Sequence, residues 1–573
     1  MKYIFRPIVI LLLSWFFLAC EDQNFLDQIP KDTPTEGYFW KTVNDLEVFA
    51  NGFYPDLGGW PSHGGGPYWA DNNSDNMIPG IPDQRLSGLI TISDANGWNW
   101  GSIRSVNLFL QKSQEVIEAN GGTNADIDHL IGEGYWFRAK LYFDKLQMFG
   151  GVPWIDQPLQ TNSDEYLFAP RESRDFIADK ILSDLDMAIS LMKDDAGEFR
   201  LNRFIALALK SRVALYEGAW EKYHNGTVFG INNSDPNKYF TISAAASKAI
   251  MDQGPYRINN STGTIEDYIT IFNQEDLTSN PEVMFWKKYQ IGFNATNAQR
   301  AVGFIPGNTG ASKAFINSHL CLDGMPIAVS DLYKGDNTLQ DEFINRDPRL
   351  NANIYNIGDA INQNHNIERI PIDKGGENRC TSGYFIKKGS KHDLVLQQTD
   401  FGSTTAYIYF RFAEILLNYA EAKAELGTLT QEDIDITINV IRKRAGMPEM
   451  FISSIQFDPN WDFPSLSPIL NEIRRERRVE FGVEGHRLRD LLRWRAHELF
   501  KLAPKGFKYH PEDYADVSNF SPFVDAEGYL EPYQIIQPGE LGFDPERDYL
   551  LPIPLNQLKL NNNLTQNPGW PIN

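Results

Sequence analysis

The loop DNNSDN places Asp71, Asn73 and Asp75 at alternate positions. Carboxylate and amide oxygens with this spacing are typical of calcium-binding loops. Such a loop also needs a glycine at its sixth position and a glutamate at its twelfth, and here these are Asn76 and Pro82. The departures favour a polar turn over a calcium site. We predict neither a bound metal nor a cofactor.

The run NEIRRERRVEFGVEGHRLRDLLRW is the most strongly charged stretch of the chain. Glu472 and Arg475 are three residues apart and are predicted to pair on one face of a helix. Arg477 and Glu480 have the same spacing, and the same pairing is predicted for them. His486 lies within this run of charges, which favours a structural or partner-facing role over that of a catalytic base.

Common sequence motifs of catalysis are absent. The chain contains no G-x-S-x-G, H-E-x-x-H, G-x-x-x-x-G-K-[ST] or G-x-G-x-x-G pattern. A glycosidase needs only two suitably separated carboxylates, and 75 acidic residues provide many pairs by chance. We therefore assign no catalytic residue, and a surface glycosidase or lyase stays an alternative.

The N-terminus has the features of an export signal. After a basic start, an apolar run of about 13 residues extends from Pro7 to Ala19, too short to cross a bilayer. The sequence FLAC that ends at Cys20 resembles the lipobox of bacterial lipoproteins. We predict a signal peptide over residues 1–19, acylation of Cys20 and a tether over residues 20–32. Ordinary secretion with an incidental cysteine is the alternative.

Composition excludes one class of partner. The 573 residues carry a formal net charge of −22, and 42% of them are hydrophobic and 13% aromatic. The hydrophobic content indicates a globular protein. The negative charge argues against nucleic acid, because phosphate binding relies on clustered lysine and arginine.

Two cysteines remain besides Cys20. Disulfides persist in exported proteins, so Cys321 and Cys380 are able to pair in that environment. Sequence spacing alone does not decide whether they do.

The elements predicted around these residues are mostly helical. In EGYWFRAKLYFDKLQMFG, residues 133–150, apolar side chains recur every three or four positions and form one helix face. Further helices are predicted at 174–193, 201–222, 242–252, 408–446 and 467–499. Such hairpins resemble tetratricopeptide repeats, but no clean period of about 34 residues is present. The periodicity therefore supports a non-repetitive helical bundle equally well.

Loops separate the helical blocks. Residues 58–101 and 255–405 are rich in Gly, Asn and Pro, which predicts long irregular connections with minor strands such as TTAYIYF. Long loops on a rigid scaffold are frequent binding sites. The predicted fold class is mostly α, with tetratricopeptide-like helical hairpins as scaffold, long irregular loop insertions and minor β-strands.

Several segments, in order along the chain, carry a resemblance to a known family. They are FLDQIPKDTPTEGYFW, EGYWFRAKLYFDKLQMFGGVPW, DGMPI followed by NRDPRL, RFAEILLNYAEAKAELG, IRRERRVEFGVEGHRLRDLLRW and YLLPIPLNQLKLNNNLTQNPGW. Together they resemble the SusD/RagB family of surface lipoproteins of Bacteroidetes, over essentially the whole mature chain. The resemblance implies tetratricopeptide-type helices as the scaffold.

The resemblance also implies a location and a partner. Members are outer-membrane lipoproteins, exposed on the cell surface, that bind an oligosaccharide or other nutrient and cover a SusC-like TonB-dependent transporter. The acidic residues after Cys20 resemble export signals of such lipoproteins. One intermeshed unit over 20–573 is implied. Its parts are an N-terminal helical region at 33–254 with the loop insertion 58–101, a loop-rich insertion at 255–405, and a C-terminal helical region and tail at 406–573.

Candidate ligand residues follow from residue type, because the loops of the family's starch-binding member are not recognisably matched here. Sugar rings present flat C–H faces that pack on aromatic rings, while their hydroxyls bond to amides and carboxylates. The candidates are Trp60, Tyr68, Trp69, Asn72, Asn73, Trp286, Tyr289, Phe293 and Asn294. We predict a non-catalytic glycan-binding protein. A peptide binder of the same architecture and a purely structural helical adaptor are alternatives.

Overall fold

The computed structural model describes residues 39–60, 69–94, 96–159, 162–292, 305–393 and 403–571. The predicted signal peptide, Cys20 and the tether lie outside these ranges, as do Tyr68, Phe293 and Asn294. Helices dominate the described residues, which confirms the predicted fold class.

The helices and strands are as follows. The helices are α1 (Val43–Asn51), α2 (Gly101–Ala119), α3 (Ala125–Phe149), α4 (Asp164–Leu167), α5 (Arg174–Leu191), α6 (Arg203–Tyr223), α7 (Pro236–Gln253), α8 (Glu266–Phe272), α9 (Lys313–Ser318), α10 (Leu339–Phe343), α11 (Pro348–Asn353), α12 (Phe412–Glu425), α13 (Gln431–Asp435), α14 (Ile438–Ala445), α15 (Pro468–Glu480), α16 (Arg487–Arg493) and α17 (Leu555–Leu560). The strands are β1 (Val283–Lys287), β2 (Ala360–Asn362), β3 (His365–Asn366) and β4 (Tyr407–Arg411).

The long helices pack side by side as hairpins. Helix α3 lies between α2 and α5, α6 between α5 and α7, and α12 between α7 and α15. Their apolar stripes meet in the largest hydrophobic core, which includes Phe412, Ile415 and Leu416 of α12. This row of hairpins is the predicted tetratricopeptide-like scaffold. Within the described ranges, no helix is long and apolar enough to span a membrane.

The helix predicted from residue 408 starts four residues later, at Phe412. Residues Tyr407–Arg411 instead form β4, which pairs antiparallel with β1. Tyrosine and phenylalanine in close succession favour an extended strand, because aromatic side chains pack well on a pleated surface. A minor strand is also predicted for TTAYIYF, and β4 confirms that prediction.

The charged run forms α15, α16 and the turn between them, and one of its two predicted pairs is present. Glu472 and Arg475 form the expected ion pair at 3.3 Å. Arg477 does not pair with Glu480, because its Nε donates instead to Asp490 at 2.7 Å. Asp490 is one turn into the next helix, so the pairing depends on how α16 folds back on α15.

Glu480 lies at the centre of a buried ion network. Its carboxylate accepts from Arg411 at 2.6 Å, Arg444 at 2.5 Å and Arg349 at 3.0 Å. Glu282 adds a second carboxylate that accepts from Arg411 and Arg444. All five residues are buried. The charged run is therefore an interior structure, where removing one partner of a pair costs far more than on a solvated helix face.

Both cysteines of the described ranges are free. Cys321 and Cys380 are buried thiols that form no disulfide. Burial raises the pKa of Cys380 to about 12, so this thiol stays protonated and behaves as a small apolar side chain.

Candidate functional site

A short loop holds Trp60 against the β1–β4 sheet. The backbone N–H of Trp60 donates to Tyr289 Oη at 2.7 Å, and its indole Nε1 donates to the Ala406 carbonyl at 3.0 Å. Gly59 leaves no room for a side chain, because a Cβ there would lie 2.3 Å from Tyr289 Oη. These contacts fix the position of the indole ring.

Trp60, Tyr407 and Tyr409 form what we call the aromatic shelf. The rings of Trp60 and Tyr407 are 4.8 Å apart, and those of Tyr407 and Tyr409 are 4.9 Å apart, both edge to face. Both tyrosines lie on one face of β4, since alternate residues of a strand share a face. Tyr409 Oη donates to the Gly58 carbonyl at 2.8 Å. All three residues are half-buried.

Two hollows open beside the shelf. The smaller, of about 90 Å³, is lined by Trp60, Ala70 and the shelf tyrosines. The larger, of about 470 Å³, lies between α3, α6, β4 and α16. We call them the crevice and the cleft. They share the residues of β4, so the shelf borders both.

Trp69 is an exposed ring that is held in place. Its side chain is 40% exposed, and Nε1 donates to the Gly307 carbonyl at 3.0 Å. Asn72 Oδ1 accepts from Thr309 Oγ1 at 2.7 Å, which ties the same two loops together. Asn73 is half-buried beside them. The next residue in the chain, Ala70, lines the crevice.

The carboxylates of the DNNSDN loop are used inside the protein. Asp71 is fully buried and accepts from the backbone N–H groups of Val483 at 2.8 Å and Gly485 at 3.1 Å. Asp75 pairs with Arg487 at 2.7 Å. The loop thus anchors the turn between α15 and α16. Among the residues described, no group of three or more His, Cys, Asp or Glu is placed to hold a metal.

Trp286 and Tyr289 are buried. Trp286 is 5% exposed and packs with Ile271 and Leu277 in a small cluster behind the sheet. Tyr289 is 6% exposed, and its hydroxyl supports Trp60. On β1, Lys287 contacts the Gly58 loop while Trp286 faces α8, because neighbouring strand residues point to opposite faces. Neither ring has a face open to a sugar, so neither residue belongs to the candidate site.

The carboxylates beside the shelf are paired with cations. Glu484 accepts from Arg411 at 2.7 Å and Lys388 at 2.6 Å. Burial opposes its ionisation, but these two cations outweigh burial and hold the pKa of Glu484 below its ordinary value. Arg212 likewise outweighs burial and lowers the pKa of Glu414, which it contacts at 2.6 Å. Both carboxylates therefore stay ionised near neutral pH.

Comparison with protein families identifies the chain. Residues 270–570, more than half of it, match the family described as the SusD family. The chain belongs to the SusD family. A second match, over residues 92–215, is to a family described as starch-binding associating with outer membrane. The two matches cover both the hairpin scaffold and the loop-rich part.

SusD-like relatives span the same length. SusD-like protein P2 of Formosa agariphila is 24% identical over 581 aligned residues, which cover 98% of each chain. A SusD-like carbohydrate binding protein of Bacteroides fragilis has the same fold, with a TM-score of 0.72, 20% identity and coverage of 92% of this chain and 100% of its own. Another solved structure, with a TM-score of 0.57 and 18% identity, covers 90% of this chain and 97% of its own and was crystallised with a xylogluco-oligosaccharide.

In this SusD family member, the residues predicted from sequence do not include all of the candidate site. Tyr407 and Tyr409 lie where a minor strand and the start of a helix are predicted, and they are not among the predicted ligand residues. The alternation Tyr-x-Tyr at the end of a loop is the signal that places two tyrosines on one strand face. Of the predicted candidates, the structure brings Trp60 to the shelf and Trp69, Asn72 and Asn73 to the neighbouring loop.

Proposed function

We propose that the protein is a non-catalytic surface glycan-binding component that delivers oligosaccharide to a SusC-like TonB-dependent transporter. The exposed, hydrogen-bonded ring of Trp69, next in sequence to a residue that lines the crevice, is the observation that carries this proposal. Binding sites combine apolar platforms with a few placed polar groups. Here the platforms are Trp69 and the shelf, and Asn72 and Asn73 are the nearby amides. Membership of the SusD family supports the same conclusion.

The electrostatics of the site support binding without hydrolysis. A glycosidase needs a carboxylic acid that stays protonated beside a second carboxylate. The carboxylates Glu414 and Glu484 beside the shelf have lowered pKa values. Burial and the nearby Glu217 raise the pKa of Glu221 to about 7. Glu221 lines neither hollow, and it accepts the backbone N–H of Asp235 at 2.7 Å, which is a structural role.

Replacing Trp69 by alanine should weaken glycan binding about 30-fold, because loss of a central aromatic anchor commonly costs about 2 kcal/mol. Native gels cast with xyloglucan or polygalacturonate measure the retardation of the protein. The exposed Phe523, replaced by alanine, is the matched control. The wild-type protein should also leave each polysaccharide intact after prolonged incubation. If each gel that retards the wild type retards Trp69→Ala to the same extent, the aromatic platform for the sugar lies elsewhere.

Lipid attachment at Cys20 is the proposed anchor. The apolar run before Cys20 is too short to span a bilayer, whereas more than one acyl chain suffices for stable membrane attachment. Cys20→Ala should therefore move the protein from the outer-membrane fraction to the soluble fraction, as followed by fractionation and immunoblotting. A variant that stays tightly bound at the cell surface would contradict the lipid assignment.

A further inference from the structure

Two residues of the cleft wall have a buried polar atom without a partner. Gln147 and Tyr216 line the wall, and their Nε2 and Oη atoms are buried and form no hydrogen bond. The two residues are only 8% and 3% exposed. Unpartnered buried polar atoms are uncommon in folded proteins, because burial removes their bonds to water. Both residues line one cleft, so this wall has hydrogen-bonding capacity that is not used inside the protein.

An arginine at the mouth of the cleft adds further donors. Arg489 Nε donates to Gln147 Oε1 at 3.1 Å, and this bond leaves the Gln147 amide nitrogen as the unused end of the side chain. Arg489 is exposed and forms no ion pair within the part of the chain that the structure describes. Its two terminal nitrogens are therefore available to a ligand.

Cations exceed carboxylates in the cleft. Arg212 is neutralised by Glu414 at 2.6 Å, and Lys140 by Asp144 at 2.7 Å. The guanidinium of Arg85 donates instead to backbone carbonyls, at 2.7 Å to that of residue 548. Asp83 and Asp548 lie close enough to Arg85 to offset its charge, whereas Arg489 at the mouth has no carboxylate partner among the lining residues. A positive, donor-rich wall is complementary to an anion.

We propose that the cleft binds the acidic group of a glycan, a carboxylate or sulfate on a sugar unit that packs against Tyr407 and Tyr409. The inference rests on the proposed glycan-binding function and names the substrate class. The planar guanidinium of Arg489 suits bidentate contact with an oxyanion, and Gln147 Oε1 holds it in place by accepting from its Nε. The two tyrosines also border the crevice, so one oligosaccharide can occupy both hollows.

The charge of the whole protein makes this preference testable. A formal net charge of −22 repels anions in general. Preferential binding of an acidic sugar over its neutral counterpart therefore has to come from a local site.

His486 also lines the cleft. Burial and the nearby Arg212 and Arg477 hold the pKa of His486 well below its ordinary value, so its ring is neutral and offers one donor and one acceptor.

Ligand-observed NMR on the folded chain tests the proposal with sodium glucuronate, glucose 6-sulfate and glucose at millimolar concentration. One or both acidic sugars should bind more tightly than glucose. Arg489→Gln should weaken that binding about tenfold, because a charge-assisted hydrogen bond is lost. Gln147→Leu should weaken it as well. Lys443→Gln, which removes an exposed positive charge outside the cleft, is the matched control and should bind as the wild type does.

The outcomes separate the alternatives. Binding of glucuronate alone assigns a carboxylate, and binding of glucose 6-sulfate alone assigns a sulfate. Equal affinity for glucose and both acidic sugars, or anion binding that survives both Arg489→Gln and Gln147→Leu, overturns the inference. A short peptide with a free C-terminus that competes as well as the acidic sugars overturns the glycan assignment. If the wild-type protein is retarded by xyloglucan but binds neither acidic sugar, this inference alone is refuted. If the wild-type protein binds no polysaccharide at all, the proposed function is refuted.

Discussion

Replacing Glu480 by glutamine is expected to lower the free energy of unfolding by about 3–5 kcal/mol, the usual cost of breaking a buried ion pair. Glu480 is fully buried and accepts from Arg349, Arg411 and Arg444, so its loss leaves three buried guanidinium groups short of negative charge. Urea denaturation followed by circular dichroism measures the change. Asp252→Asn, which breaks the exposed pair with Lys248, should leave the transition nearly unchanged.

The effect of Glu480 should depend on pH. Burial opposes ionisation, but Arg444, Arg411 and Arg349 together hold the pKa of Glu480 well below its ordinary value of 4.5. A carboxylate with a lowered pKa in the folded state stabilises the protein above its unfolded pKa, and that contribution is lost as pH falls. The difference between wild type and Glu480→Gln should therefore be largest near neutral pH and shrink in acid. Identical denaturation midpoints at neutral pH would contradict the network.

Truncation of Trp286 to alanine is expected to destabilise the protein by about 3–5 kcal/mol, the usual range for a buried tryptophan. The ring packs with Ile271 and Leu277 and meets Phe199 edge to face at 5.3 Å. Its removal leaves a cavity between the β1–β4 sheet and α8. Thermal denaturation measures the loss, and Trp286→Phe should retain part of the stability because an aromatic ring still fills the site.

Trp286 and Trp69 should behave in opposite ways. Trp286→Ala should lower stability while the folded protein keeps its affinity for glycan, and Trp69→Ala should lower affinity while stability stays close to that of the wild type. Their exposed fractions, 5% and 40%, are the reason for the difference. If Trp286→Ala keeps the stability of the wild type but no longer binds glycan, Trp286 belongs to the ligand site.

The helical scaffold follows from local patterns in the sequence. The apolar period in residues 133–150 and the stripe that begins at Phe412 predict helices that must bury one face, and both lie in the main core. This inference succeeds because helical periodicity is a local property of the chain. The ordered segments that resemble the SusD/RagB family were sufficient to predict the family as well.

The contacts between polar and aromatic side chains, in contrast, depend on the packing of distant segments. The three arginine partners of Glu480 are 36, 69 and 131 residues away along the chain, whereas helical spacing suggested Arg477. Trp60 and Trp286 are both loop-proximal tryptophans in sequence. The first lies on the shelf and the second lies behind the sheet, because packing of α8 covers one face of a two-stranded sheet and leaves the other open. Burial and long-range pairing depend on how distant segments pack, and local sequence patterns do not contain that information.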